Sequence, residues 1–119
     1  MPEETLLHGW GRTAPTPAVL TPVHDDAEVR AVLADAGGRG VVARGLARSY
    51  GDAAQNAGGH VLDMTAADAV LAFDPETGLV DVEAGISLDE LMNRFVPQGF
   101  FVPVTPGTRL VTVLSLIHI

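Results

Sequence analysis

Ala43-Arg44-Gly45-Leu46-Ala47-Arg48-Ser49-Tyr50-Gly51-Asp52 leaves the apolar run Gly40-Val41-Val42-Ala43 and enters a stretch of small residues with two arginines. An apolar run of that kind reads as a buried strand. Small residues after a strand let the backbone approach an anion closely. Exposed N–H groups can then point at phosphate oxygens, and guanidinium groups can neutralise them. A strand that empties into such a loop is a means of holding the pyrophosphate of a dinucleotide.

Outward from this loop, the chain alternates strands and helices. Ala18–Thr21 is a short strand candidate ended by Pro22, and His24-Asp25-Asp26 starts a helix with acidic residues against its dipole. Val29, Val32, Leu33 and Ala36 recur at i, i+3, i+4 and i+7, which predicts one buried stripe. Gly37-Gly38 stops that helix, and the strand Gly40–Ala43 comes next. These pieces predict a β-α-β unit with parallel strands. The glycine-rich loop then runs from Gly45 to Gly59, and His60–Met64 reads as another buried strand. Val70–Phe73 and Leu79–Glu83 flank Asp74-Pro75-Glu76-Thr77-Gly78, a hairpin with Pro early and Gly late in its turn. Val80 and Val82 alternate with Asp81 and Glu83, so one face of that hairpin is wet.

Ser87-Leu88-Asp89-Glu90 is a capping box, and Leu88, Leu91, Met92 and Phe95 form a second apolar stripe. Pro97 and Gly99 end it. Phe100–Val104 and Val111–Val113 are strand candidates joined through the turn Pro106-Gly107-Thr108. Residues 1–17 carry three prolines and two glycines and read as an irregular arm anchored by Trp10. The expected fold class is α+β with α/β character.

Composition narrows the function. In 119 residues the net charge is −8, lysine is absent, and all seven cations are arginine. An acidic chain with no basic face argues against nucleic acid as a partner. Arg39, Arg44 and Arg48 nevertheless fall within ten residues, which fits one specific anionic ligand as well as it fits three solvated surface arginines. There is no cysteine, so no disulfide, thiolate nucleophile or cysteine-ligated metal is expected. The four histidines (His8, His24, His60 and His118) lie too far apart for a metal motif. Met1-Pro2-Glu3-Glu4 has no apolar core of a signal peptide, and no apolar run reaches the roughly 20 residues of a membrane span. The default expectation is a cytoplasmic protein with no transmembrane segment.

The order of these pieces resembles the FAD-binding subdomain of flavoenzymes of the vanillyl-alcohol-oxidase and p-cresol-methylhydroxylase type. Thr21-Pro22 before Glu28-Val29, the loop Gly40–Ser49, and Gly78-Leu79-Val80-Asp81-Val82-Glu83-Ala84-Gly85 ahead of Leu88–Leu91 carry the likeness. Within that superfamily three stretches point more narrowly. They are Gly9-Trp10-Gly11-Arg12-Thr13-Ala14-Pro15, Arg48-Ser49-Tyr50-Gly51-Asp52 with Gln55-Asn56, and Pro106-Gly107-Thr108-Arg109 with Val111-Thr112-Val113. They resemble oxidases of polyprenylphosphoryl pentoses from the arabinan-precursor pathway of actinobacterial cell walls. The resemblance implies FAD-dependent oxidation of a ribose 2′-hydroxyl to a ketone. It also implies a companion NAD(P)H-dependent reductase and allows association with the cell envelope.

By this resemblance, Ala43, Arg44, Gly45, Leu46, Ala47, Arg48, Ser49, Tyr50, Gly51, Asp52 and Ala53 wrap the FAD pyrophosphate and approach the flavin, and Gly107, Thr112 and Val113 line the cofactor from a second stretch. Gly45 and Gly51 are expected to supply backbone freedom. Tyr50 is placed near the flavin, and Asp52 either contacts the site or caps the segment after the loop. Covalently flavinylated relatives often carry histidine where Arg48 stands, so non-covalent FAD is expected. No catalytic residue and no metal ligand is assigned. The family pattern ends after Val113, where Leu114-Ser115-Leu116-Ile117-His118-Ile119 reads as a short apolar strand of foreign origin from a truncated gene. The chain thus divides into an arm (1–17), a partial FAD-binding domain (18–113) and a tail (114–119). Two alternatives stand beside the sugar oxidase: another FAD-linked alcohol or aldonolactone oxidase, and a non-catalytic remnant that binds no FAD.

Overall fold

A computed structural model describes residues 3–118. Four strands form the main sheet: β1 (Glu4–Leu7), β2 (Thr16–Pro22), β3 (Val41–Arg44) and β4 (His60–Asp63), in the order β1-β2-β4-β3. β2 and β3 both run parallel to β4. The β-α-β reading therefore holds in direction, but β4 lies between the two strands that the helix connects. Val61 faces Leu20 on one side and Val42 on the other, and is fully buried. That central position explains why His60–Asp63 is so apolar at its middle: a strand flanked on both edges loses water from its backbone and from its inward face.

Residues 1–17 are not an irregular lead-in throughout. Glu4–Leu7 pairs antiparallel with residues 16–19, with Leu6 opposite Pro17. Leu7, Ala18 and Val61 form one apolar cluster, with Leu20 and Val42 packed against it. The residues between β1 and β2 form an arm that reaches the loop after β3.

Helix α1 (Asp26–Asp35) is capped by Asp25, whose carboxylate accepts from the Glu28 N–H at 2.9 Å. Its predicted stripe is not buried. Val29, Val32 and Ala36 are half-covered, and Leu33 stays 55% exposed. The stripe is present, but no described element lies flat against it.

The second half of the chain holds a separate core. Strands β5 (Val70–Asp74) and β6 (Leu79–Val82) form the expected hairpin. In its turn, the Glu76 N–H donates to Asp74 and holds that carboxyl below the usual range. Helix α2 (Leu88–Phe95) buries Leu88 and Leu91 against Ile86 and Val111, with Met92 and Phe95 at the margin. Phe95 and Phe100 both pack on Phe73 of the hairpin, at 4.5 and 5.1 Å between ring centres.

Two strand expectations fail here. Phe100–Val104 is extended coil without a ladder partner, and Thr112 makes only an isolated bridge to Ser87. The tail does not form a strand either. Leu114–His118 is a 3-10 helix, because the Ser115 and Leu116 N–H groups donate three residues back to Thr112 and Val113. Among the described residues no helix is long and apolar enough to cross a membrane.

Candidate cofactor cradle

The loop after β3 is polarised along its backbone. The carbonyls of Ser49, Asp52 and Ala54 accept from the Trp10 backbone N–H, the Gln55 N–H and the Arg44 guanidinium. The N–H groups from Gly45 to Ala54 donate to no acceptor among the described residues. Three of the carbonyls are tied to the protein and the donors are left open. Residues 45–49 of this run are buried or half-buried. Unpaired N–H groups along such a segment are open to an anion or to water.

Several side chains enforce this. The Gln55 side-chain amide donates to the Leu7 carbonyl, the Ala14 carbonyl and the Thr16 hydroxyl at 3.0, 3.2 and 2.9 Å. The Asn56 amide donates to the carbonyls of Arg39, Gly40 and His60. The loop is thereby pinned at its far end to the arm and to both inner strands. The three clustered arginines serve the same purpose. Arg39 donates to the Ala57 carbonyl at 2.8 Å, Arg44 to the carbonyls of Ala54 and His8, and Arg48 to the Leu110 carbonyl at 3.1 Å. Partial burial draws the Arg44 guanidinium down from its usual pKa, and Asp63 opposite it on β4 opposes that shift.

Glycine at position 45 is required by close approach. A Cβ there would run into the Thr112 and Ser115 hydroxyls. Those two side chains are buried and hydrogen-bonded to each other at 2.9 Å. Thr112 therefore supports the loop from beneath. The left-handed residues of the loop are Ala47, at φ 59°, and Gly58, at φ 72°, while Gly45 and Gly51 do not have positive φ. The expectation that Gly45 and Gly51 supply the backbone freedom is corrected accordingly: Gly45 is needed for space, and the left-handed turns fall at Ala47 and Gly58. Gly51 has open space around its Cβ position, but its carbonyl closes against Gly9.

A cleft of about 760 Å³ opens beside the loop. Arg48, Ser49, Tyr50, Gly51 and Ala53 line one wall, Gly107 and its neighbours Pro106, Thr108, Leu110 and Val111 line the other, and Trp10 and Ser115 also border it. Two of the three stretches singled out from sequence thus meet across one space, and the arm borders it. Tyr50 is 75% exposed at its rim. Ala43 and Arg44 end β3, and Gly45, Leu46, Ala47, Asp52, Thr112 and Val113 do not line the cleft. Val113 instead donates to the Ile86 carbonyl. Trp10, Pro106, Thr108, Leu110, Val111 and Ser115 were missed as lining residues, although Gly9-Trp10-Gly11 and Pro106-Gly107-Thr108 already stood out as motifs. Ser115 carried no signal, because its placement depends on the 3-10 turn after Thr112. Among the described residues no group of acidic or histidine side chains is arranged to hold a metal.

Comparison with known proteins gives the family of the chain. Residues 17–118 match the family described as FAD binding domain. The chain is also 59% identical over 110 residues to decaprenylphosphoryl-beta-D-ribose oxidase of Mycolicibacterium smegmatis, a match covering 90% of this chain and 24% of that protein. The chain therefore spans about a quarter of the length of the curated relative it matches.

Proposed function

The chain belongs to the FAD binding domain family, and from that premise we propose that it is the dinucleotide-gripping part of an FAD-dependent oxidase of a decaprenylphosphoryl pentose. The observation that carries the proposal is the run of free N–H groups from Gly45 to Ala54, of which Arg48, Ser49, Tyr50, Gly51 and Ala53 line a cleft of about 760 Å³. Backbone donors oriented by the fold neutralise a pyrophosphate without needing a lysine, and this chain has none. Gly45 fits the same purpose, since the loop reaches its place only by lying on Thr112 and Ser115.

Bound FAD supplies a hydride acceptor for alcohol oxidation. The residues of this chain bind and orient it. The loop amides take the phosphates, Ser49 offers a hydroxyl from the cleft wall, and the 106–111 segment bounds the opposite side. Tyr50, exposed beside the cleft, is the residue we assign to cover the flavin. No cysteine is available for a thioether, and Arg48 cannot form a histidyl linkage, so these contacts hold the cofactor without a covalent bond from the loop. The relative's name supports the sugar substrate. Oxidation of a ribose 2′-hydroxyl yields a ketone, and an NAD(P)H-dependent reductase would complete the epimerisation.

The test is direct. Full-length protein prepared with FAD is expected to be yellow, to keep flavin through gel filtration, and to bleach with decaprenylphosphoryl ribose. A colourless preparation overturns the FAD reading. A yellow one that bleaches only with other alcohols or aldonolactones overturns the substrate. Gly45→Ala is expected to reduce flavin retention, because the new methyl displaces the loop from Thr112.

A further inference from the structure

Trp10, Arg48 and Leu110 belong to three separate segments and meet at the mouth of the cleft. The Arg48 guanidinium carbon lies 4.5 Å from the Trp10 ring centre. Its Nε–H donates to the Leu110 carbonyl at 3.1 Å. The Trp10 backbone N–H donates to the Ser49 carbonyl at 2.8 Å, and the Gly9 and Gly11 backbones lie so close to Ser49, Tyr50 and Gly51 that a Cβ on either would collide with their carbonyls. A 55% exposed tryptophan is thus fixed in place by the loop itself.

We infer that Trp10 and Arg48 form a strap that sets the distance between the two walls of the cleft, and that both are positioning residues for the cofactor. A planar guanidinium can stack on an indole with its face and donate in its plane at once; an ammonium cannot. Arg48 uses both abilities here, one toward the arm and one toward Leu110. Its contribution is to hold the loop wall at 48–51 against the 106–111 wall. This inference rests on the reading of the cleft as the FAD site, and goes beyond it by giving Arg48 a bracing task in place of a phosphate contact.

The measurement is the rate of FAD release from full-length protein, followed by the recovery of flavin fluorescence, in a double-mutant cycle. Trp10→Ala and Arg48→Gln are each expected to speed release roughly two- to fivefold, the scale of an exposed cation–π contact. The double variant is expected to be no faster than the faster single. Trp10→Phe keeps an aromatic face and is expected to recover most of the loss, while Arg48→Lys behaves like Arg48→Gln. Rates that multiply in the double variant overturn the strap, as does an Arg48→Lys protein that holds flavin like the parent, since that is the behaviour of a point charge on phosphate. The conservative pair, Trp10→Phe and Arg48→Lys, keeps the test decisive if the more drastic changes unfold the chain. A parent protein that holds no flavin overturns the FAD reading itself, a failure seen before any variant is compared.

Discussion

Helices α1 and α2 begin alike and end up in different surroundings. Each is capped by a short polar side chain, with Asp25 accepting from the Glu28 N–H and Ser87 from the Glu90 N–H. Each carries acidic residues in its first turn and an apolar stripe at i, i+3, i+4 and i+7. Only α2 buries any of that stripe. The difference lies in what returns to each helix. The 109–113 segment folds back onto α2, where the Leu88 and Asp89 N–H groups donate to the Val111 and Arg109 carbonyls and Arg109 pairs with Asp89 at 2.7 Å. No comparable segment among the described residues covers α1, and the molecule is only 18 Å across its shortest axis. An apolar stripe thus says which side of a helix avoids water, and says nothing of whether a neighbour arrives.

Two leucine truncations in the same chain put this contrast under the greatest strain. Leu91→Ala removes a buried side chain and is expected to lower unfolding free energy by about 2–5 kcal/mol. Leu33→Ala is expected to cost within about 0.5 kcal/mol, because the side chain already sees solvent. Urea denaturation of both decides it; equal losses would mean that α1 is covered after all.

Capping should not distinguish the helices. Asp25→Ala and Ser87→Ala are each expected to cost about 1 kcal/mol, since a cap acts on its own first turn whatever lies behind the helix. A much larger loss at Ser87 in thermal melts would show that its hydroxyl does more than cap α2, because its bridge to Thr112 is made by the backbone and survives the substitution. The smallest effect belongs to the surface of α2. Arg94 pairs with Glu90 at 3.0 Å with both side chains substantially exposed. Arg94→Ala is expected to cost about 0.3–0.5 kcal/mol at low salt and less in high salt, as read from urea midpoints at the two ionic strengths.

Much of this architecture was legible beforehand, for local reasons. Both helices, the hairpin, and the strands at Gly40–Ala43 and His60–Met64 come from periodicity and turn chemistry that act within a few residues. The strand at Glu4–Leu7 was not legible, because its short run of Thr5, Leu6 and Leu7 pairs only through contact with a distant segment. Phe100–Val104 had the composition of a strand and lacks a partner edge. At the site, the meeting of the 48–53 and 106–111 stretches was legible as two motifs. The use of the arginines was not: nothing in a sequence distinguishes a guanidinium bound for a phosphate from one bound for the carbonyls of its own loop. The left-handed turn at Ala47 was equally hidden, since alanine gives no hint of positive φ.

The placement of β4 between β2 and β3 has a kinetic meaning. This inner strand is the last of the sheet's four in the chain, so neither parallel pairing can form until residues 60–63 are available. Its docking must close a crossover from β2 that includes α1, and a second one made of the 45–59 loop itself. Closure entropy grows with the length of such a connection, and non-local parallel pairing slows folding. Lengthening or stiffening the segment between Gly45 and Gly59 would therefore alter how fast the sheet assembles.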